Sequence, residues 1–442
     1  MLPLMARLLQ SPYFQLALLV LAVFYAAPGG SFHLDDYSLF EGPGSLVRPL
    51  TQLSFWLNGT GYLEGRGQQA AWVFLLVNVL LHFANSCLVF AVLSRLMDRR
   101  VATVAAMFFA VHPLQAEAVS YVFARATLLA ALFCLLTLRA WLDDRPWLAC
   151  CLFAAAVLSK EDALALPLVL AVIERRASRP LVVTFAIAAA AGAWSVWAVV
   201  MTPGSGAGTQ AGIAPLDYLA AQGAVIGRYL RLLVFPVGLT LDPEVSTAYG
   251  WLGWVILLAA VAAVARFRAG QLAIAGLLLL LPSSSIVPLQ DLSADRRMYL
   301  PLAALSGLAA LALARVQPRW SAGVLVLVLV LGAVCAKQVG HWQTEESLWR
   351  HVTTESPRQL RPQIQLARAV EPGECLRLLE PWEQRLPDEY AIPAEMGRCA
   401  LQMGDAPRAL RHFGRALALR PNDVAAKQNR DAALKALGIA VR

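Results

Sequence analysis

An all-α, polytopic membrane domain followed by a short helical-repeat tail is the fold class this sequence predicts. Three observations predict it. Of the 442 residues, 58% are apolar and only 15% charged, against about 45–50% and about 25% in ordinary soluble domains. Apolar stretches near the roughly 20 residues that cross a bilayer as helix recur as far as Lys337. From Gln338 onward the chain turns rich in Arg, Glu and Gln and holds no apolar run long enough to span. The reading is therefore a membrane domain over residues 1–337 and a polar domain over 338–442.

In chain order, the clear spans are 13–29, 71–94, 126–142, 180–201, 251–266, 271–289, 298–315 and 320–338. Three shorter ones, 101–113, 146–159 and 163–174, bring the expectation to about 11 crossings. Arg7, then Arg95, Arg99 and Arg100, then Arg139 and Arg145, Arg175, Arg176 and Arg179, Arg266 and Arg268, and Arg315 and Arg319 fall on alternate loops. Cytoplasmic loops carry the excess of Lys and Arg, so the N-terminus is expected inside and the tail outside. The first span resembles a signal peptide in its flanks, but acids and further spans follow at once, which favours an uncleaved helix. Segment 216–236 is apolar yet carries Arg228 and Arg231. A crossing there would invert the later charge alternation, so an interfacial or re-entrant helix on the outer face is expected, after a flexible Gly/Pro-rich loop at 202–215.

The formal net charge of +8 follows this loop pattern and is a topology signal, which argues against a nucleic-acid partner. Of the seven cysteines, Cys87, Cys134, Cys150, Cys151 and Cys335 lie in or beside apolar segments, where a thiol behaves as a small hydrophobe. Cys375 and Cys399 lie in the tail, where a bridge between them is open. There is no metal-binding CxxC.

Nearly every acid and unexplained base of the membrane domain falls on the outer loops, and ionisable residues at membrane helices are costly and usually functional. Asp35 and Asp36 follow the first helix, at a bilayer edge where low dielectric raises a carboxyl pKa and makes it a usable general base. The same loop holds Arg48 and Glu64 and a stretch, 48–58, whose Leu50, Leu53, Trp56 and Leu57 describe a short interfacial helix. Loop two contains His112, Glu117 and Arg125. His and Glu there suit a divalent metal or proton transfer, and equally suit structural ion pairing. Lys160, Arg228, Arg231, Arg296 and Arg297 form a cationic set against the positive-inside trend. Arg contacts phosphate in bidentate fashion and Lys as a point charge, so the set points to a phosphate held at headgroup depth. Asn78, His82 and Asn85, at helical spacing with Ser86, are expected to hydrogen-bond to neighbouring helices.

In the tail, residues 390–423 fit a 34-residue tetratricopeptide pattern through Gly397, Gly404, Asp405, Ala409, Phe413, Ala416 and Pro421. Pro393 stands where that pattern has Trp. Trp349, Val352 and Pro357 resemble the end of a preceding repeat, and 358–389 a degenerate one. Such arrays make concave surfaces that hold extended peptides.

Several motifs then come in a fixed order: LDD after the first helix, RPLTQLSFWLN (48–58), LLVNVLLH (75–82), HPLQAEAV with the following ARA, LSKE (158–161) and RRMYLP (296–301), before the repeat tail. This set resembles the transmembrane-and-TPR-repeat protein O-mannosyltransferases, a branch of the GT-C glycosyltransferases. The resemblance covers nearly the whole chain. It implies an enzyme that takes a sugar, mannose in that family, from a polyprenyl-phosphate carrier. The acceptor would be a Ser or Thr hydroxyl of a protein outside the cytoplasm, with inversion. The acidic pair, the family's catalytic base, maps to Asp35 and Asp36. His112 and Glu117 match the H-P…E-A-V motif, and Arg296 and Tyr299 match R-x-x-Y-L-P, where a lipid-phosphate contact is implied. The chain departs from the family at Thr127, where an acid is common, and in the shortness of its repeat array. Two rivals remain from the residues: a non-catalytic membrane-anchored repeat scaffold, and a lipid-linked-saccharide transporter. Ala, Arg and Leu richness leans towards a bacterial inner membrane, with the tail periplasmic.

Overall fold

The computed structural model describes residues 10–40, 48–59, 71–201, 212–284, 287–289, 291–316 and 321–439. Glu64 and residues 202–211 of the Gly/Pro-rich loop lie outside the described residues. The described residues are overwhelmingly helical, joined by turns and irregular loops. The chain divides into two compact units, one of Met1–Leu241 with Val245–Gln343 and one of Asp242–Glu244 with Thr344–Arg442.

The first unit contains α1 (Pro12–Phe24), α2 (Pro49–Leu57), α3 (Ala71–Leu93), α4 (Arg99–Val111), α5 (Ala116–Ser120), α6 (Arg125–Leu142) and α7 (Pro146–Ser159). It continues through α8 (Leu166–Glu174), α9 (Arg179–Met201), α10 (Pro215–Val234), α11 (Gly250–Ala265), α12 (Arg268–Leu278), α13 (Tyr299–Val316) and α14 (Ser321–His341). Among the described residues, 6 helices are long and apolar enough to cross a membrane, or up to 7 if the bent pair Arg99–Val111 and Pro113–Ser120 makes one span. The protein is an integral membrane protein.

Each of the eleven expected segments contains a helix, but several are shorter than a bilayer requires. The segment 163–174 begins as a 3-10 turn, Glu161–Ala165, and its helix α8 has 9 residues. At 1.5 Å per residue that is roughly 14 Å, under half of a 30 Å hydrocarbon core. The segment 271–289 is helical only to Leu278 and then turns at Leu279–Ser284. Pro282, without an N–H, and the serines after it cannot carry the helix on.

At the centre, α3, α4, α6 and α13 pack on one another, and their contact is polar as well as apolar. Asn78, His82, Asn85 and Ser86 of α3 are all buried. The Tyr299 hydroxyl donates to His82 Nδ1 at 2.8 Å and accepts from Asn85 Nδ2 at 3.1 Å. His82 Nε2 donates to the Ala110 carbonyl at 3.0 Å. One α3 stripe thus binds three neighbouring elements, as its spacing suggests. The α10–α11 contact is closer still, because glycine lets the backbones meet: a Cβ built at Gly250 lies 2.0 Å from the Ala220 carbonyl oxygen.

Among its described residues the second unit has six further helices, α15 (Glu345–Glu355), α16 (Leu360–Ala369), α17 (Pro372–Arg385), α18 (Ala391–Gln402), α19 (Ala406–Leu419) and α20 (Val424–Ala436). Each packs on the next, and α16 also touches α18, as α18 touches α20. The segment 390–423 forms the hairpin α18–α19, where Gly397 lies under the Phe413 ring so closely that a Cβ would stand 2.7 Å from it. Cys375 and Cys399 form a disulfide joining α17 to α18.

The glycine crossing makes a direct test. Gly250→Leu should lower the detergent-solubilised melting temperature by an amount corresponding to about 1–3 kcal/mol of overpacking. Gly323→Leu, at a position with nothing within 4 Å of a built Cβ, should leave it unchanged.

Candidate active site

After α1 the chain makes a sharp turn at Leu34, which has φ +47°. A left-handed conformation costs a non-glycine residue roughly 1–2 kcal/mol and persists where the surroundings over-determine it. Asp36 supplies that constraint. Its Oδ2 accepts the His33 backbone N–H at 2.9 Å and its Oδ1 the Phe123 N–H at 2.7 Å. The carboxyl is fully buried. Burial pushes it up to about 7, against the pull of the two N–H donors and of His33. Both oxygens are occupied by backbone, so Asp36 is a clamp between loop one and loop two.

Asp35, one residue earlier in the same 3-10 turn Leu34–Phe40, faces the other way and is exposed. Its Oδ2 accepts from the Tyr121 hydroxyl at 3.1 Å, and that hydroxyl accepts from the Asp35 backbone N–H at 3.2 Å. Burial, together with the neighbouring Asp35 and Asp36, pushes the Tyr121 phenol well above its ordinary range. The phenol is therefore a neutral donor at physiological pH. Its ring stacks on Trp342 with centroids 5.7 Å apart, and the Arg296 guanidinium lies 5.9 Å from its centroid. The Trp342 carbonyl accepts from His33 Nε2 at 2.9 Å, which closes the ring of contacts around the two acids.

Arg296 links this cluster to loop two. Its guanidinium pairs with Glu117, its backbone N–H donates to Glu117 Oε2 at 3.1 Å, and its other arm reaches Asp291 Oδ2 at 3.4 Å. Arg297, adjacent, is held by main-chain carbonyls, donating to those of Asp291 at 2.6 Å and Leu292 at 3.1 Å. Asp35, Tyr121, Arg296 and Glu117 therefore form one loop constellation: an exposed carboxylate beside a phenol, with the Arg296–Glu117 pair against the phenol ring, while Arg297 is turned to the carbonyls of its own loop.

The remaining expected residues lie elsewhere. His112 sits at the break after α4, where Nδ1 accepts the Leu114 N–H and Nε2 donates to the Leu233 carbonyl at 3.1 Å. It caps a turn and ties down the end of α10, and does not pair with Glu117. Arg125 is fully buried, bound to Asn78 Oδ1 at 3.0 Å and to the Phe74 carbonyl at 2.8 Å, with the Phe55 ring centroid 4.6 Å away. Its charge is spent on joining α2, α3 and α6. Tyr299, expected at a lipid phosphate, is fully buried with its hydroxyl on His82 and Asn85. The R-x-x-Y spacing puts Tyr299 on the first turn of α13, facing into the bundle, while Arg296 precedes the helix. Lys160 donates to Thr127 Oγ1 at 3.0 Å and pairs with Asp162 at 2.5 Å. Arg228 pairs with Asp295, and Arg231 is exposed and donates to the Val237 carbonyl at 2.9 Å. Arg48 pairs with Glu161; burial raises that acid, but the guanidinium draws it down to about 2. Among the described residues no three His, Cys, Asp or Glu side chains converge as a metal site.

Curated proteins similar to this chain carry consistent names. Protein O-mannosyl-transferase Tmtc2 of Drosophila melanogaster is 42% identical over 141 residues, 29% of this chain and 15% of that protein. Protein O-mannosyl-transferase Tmtc1 of the same fly is 39% identical over 125 residues, 26% of this chain and 14% of that protein. Protein O-mannosyl-transferase TMTC3 of Mus musculus is 38% identical over 86 residues, 20% of this chain and 9% of that protein. Over part of its length this chain is similar to proteins named protein O-mannosyl-transferases. The matched segments cover well under two thirds of those relatives' lengths. No family model matches the chain.

Tyr121, Trp342 and His33 were not legible in the sequence as site residues. Tyr121 sits inside the loop-two motif, but its period assigns it no role. Trp342 lies 306 positions after Asp36 in the numbering, and no local signal joins them. The division between the two acids is testable by stability. Asp36→Asn can satisfy only one of the two backbone donors and sets its amide N–H against the other, at a cost of about 1–3 kcal/mol. A thermal-shift measurement in detergent should register that loss for Asp36→Asn and almost none for Asp35→Asn.

Proposed function

We propose that this chain is a GT-C-type, inverting membrane glycosyltransferase. It would transfer a sugar, mannose by analogy with the printed names of its relatives, from a polyprenyl-phosphate donor to Ser or Thr hydroxyls of an acceptor protein. The observation that carries the reading is the division of labour in the acidic pair: Asp36 is consumed by backbone donors, while Asp35 is exposed beside the Tyr121 hydroxyl and close to the Arg296–Glu117 pair.

In this reading Asp35 accepts the proton of the acceptor hydroxyl as its oxygen attacks the anomeric carbon. The bond from that carbon to the phosphate oxygen breaks, and the electron pair leaves with polyprenyl phosphate. A base on the attacking side and a leaving group on the opposite side give inversion. Tyr121, a neutral donor, orients the Asp35 carboxylate. Arg296, fixed by Glu117 and Asp291, meets the charge that develops on the phosphate, and Arg297 belongs to the wider cationic face; a preorganised cation of this kind needs no reorganisation during reaction. Lys160, Arg228 and Arg231 belong to the wider cationic face that receives the donor headgroup.

The site is read as non-cytoplasmic, in a bacterial inner membrane with a periplasmic tail. The Cys375–Cys399 disulfide supports that sidedness, since such bridges persist in oxidising compartments. The helical hairpins of the tail, read as tetratricopeptide repeats, would hold the acceptor segment.

The test is release of radiolabelled mannose from polyprenyl-phosphate mannose by purified full-length protein. A carboxylate base contributes about 10²–10⁴-fold, so Asp35→Asn should lose turnover by that factor while retaining its melting temperature. Tyr121→Phe should lose roughly tenfold, mainly in kcat. Equal, near-zero release by wild type and variants across several sugars and acceptors would transfer the reading to an anchored repeat scaffold.

A further inference from the structure

The helices that end at the candidate active site also enclose a cavity of about 680 Å³ towards their other ends, within the roughly 300–1,000 Å³ of small-molecule sites. Its walls are Leu, Val, Ile and Ala from α3, α6, α8, α12 and α13, among them Leu135, Val169, Leu272, Ala303 and Ala304. Along α13 the lining runs from Leu300 to Arg315, roughly 22 Å at 1.5 Å per residue. That exceeds the roughly 15 Å of hydrocarbon in one leaflet. Walls of this kind offer water no hydrogen-bond partners but match an acyl chain along its length.

One end of the cavity is charged. Arg95, Arg175 and Arg315 line it together with Asp98. Arg95 is paired with Asp143 at 2.6 Å, and Asp98 is engaged as the N-cap of α4, accepting from the Arg100 N–H at 2.8 Å. Arg175 and Arg315 are exposed and make no ion pair among the described residues. Arg175 is the C-cap of α8, at φ +59°, which carries its side chain past the helix end at the cavity's rim. Exposed Arg99, Arg100, Arg176 and Arg266 on neighbouring loops add positive charge at that end. An apolar sleeve of leaflet depth with two uncommitted guanidinium groups at its mouth is complementary to a molecule with a long hydrocarbon chain and an anionic phosphodiester head. Basic pockets between membrane helices on the cytoplasmic side bind such headgroups.

We infer that this cavity is a binding site for one anionic glycerophospholipid, its acyl chain among α6, α8, α12 and α13 and its phosphate on Arg175 and Arg315. The site stands at the opposite helix ends from Asp35 and does not depend on the transferase reading.

Native mass spectrometry of the delipidated full chain, titrated with phosphatidylglycerol or with phosphatidylcholine of the same acyl chains, tests it without reference to activity. Wild type should bind phosphatidylglycerol at least about tenfold more tightly. Arg175→Gln with Arg315→Gln should remove that preference, roughly fivefold per arginine near a membrane surface, whereas Arg176→Gln, adjacent but outside the lining, should keep it. Ala304→Phe, which fills the sleeve, should weaken both lipids. Equal binding of the two lipids by wild type would overturn the inference, as would equal losses in Arg176→Gln and the double variant. So would undiminished phosphatidylglycerol binding by an Ala304→Phe protein of normal melting temperature. Preferential retention of a polyprenyl phosphate at these arginines would overturn the choice of lipid.

Discussion

The membrane unit is organised around one buried carboxylate. Asp36 holds the backbone N–H groups of His33 and Phe123, residues of two loops 90 positions apart in the chain. Removing a carboxylate from water is costly unless hydrogen bonds replace its hydration, and here both replacements are main-chain groups whose positions are set by the ends of α1 and α6. The clamp therefore transmits the packing of the bundle to loops one and two. The left-handed turn at Leu34, the outward direction of Asp35 and the approach of Tyr121 all depend on it.

A second constraint works beneath it. The α3 stripe of Asn78, His82 and Asn85 reaches Arg125, Tyr299 and the Ala110 carbonyl, so the loops before α6 and α13 rest on a common polar ladder. In a membrane interior such bonds set position as much as strength, because apolar contacts are equally available from lipid. Arg296 is then presented at the start of α13, where it can meet Glu117 from α5. Positioning flows from the bundle interior outward, and the candidate site lies where that order meets solvent.

Most of the predicted elements are present, and their departures have local causes. The eleven apolar segments each contain a helix, yet α8 is short because its segment opens as a 3-10 turn and closes at the left-handed Arg175, and α12 stops before Pro282 and its serines. The 48–58 helix is present as α2, with Leu53, Trp56 and Leu57 exposed and Thr51 and Phe55 buried, the arrangement expected of an interfacial anchor. The cations read from the sequence as one set have different employments in the structure. Arg228 neutralises Asp295, Lys160 serves Asp162 and Thr127, and Arg296 is shared between Glu117 and Asp291.

The sequence by itself determined what composition and period can carry: an all-α membrane protein, a polar helical tail, and a concentration of ionisable residues on alternate loops. Hydrophobic burial acts on every residue of a segment, so it leaves a trace in the linear pattern. Which of two adjacent acids is available was decided only by tertiary structure. Asp35 and Asp36 have the same chemistry and the same neighbours in sequence, and they differ only in which loop lies against each. Tyr121, Trp342 and His33 entered the site for the same reason, since a hydrogen bond or a ring stack depends on ångström-scale placement of residues far apart in the chain, and such placement leaves no periodic mark.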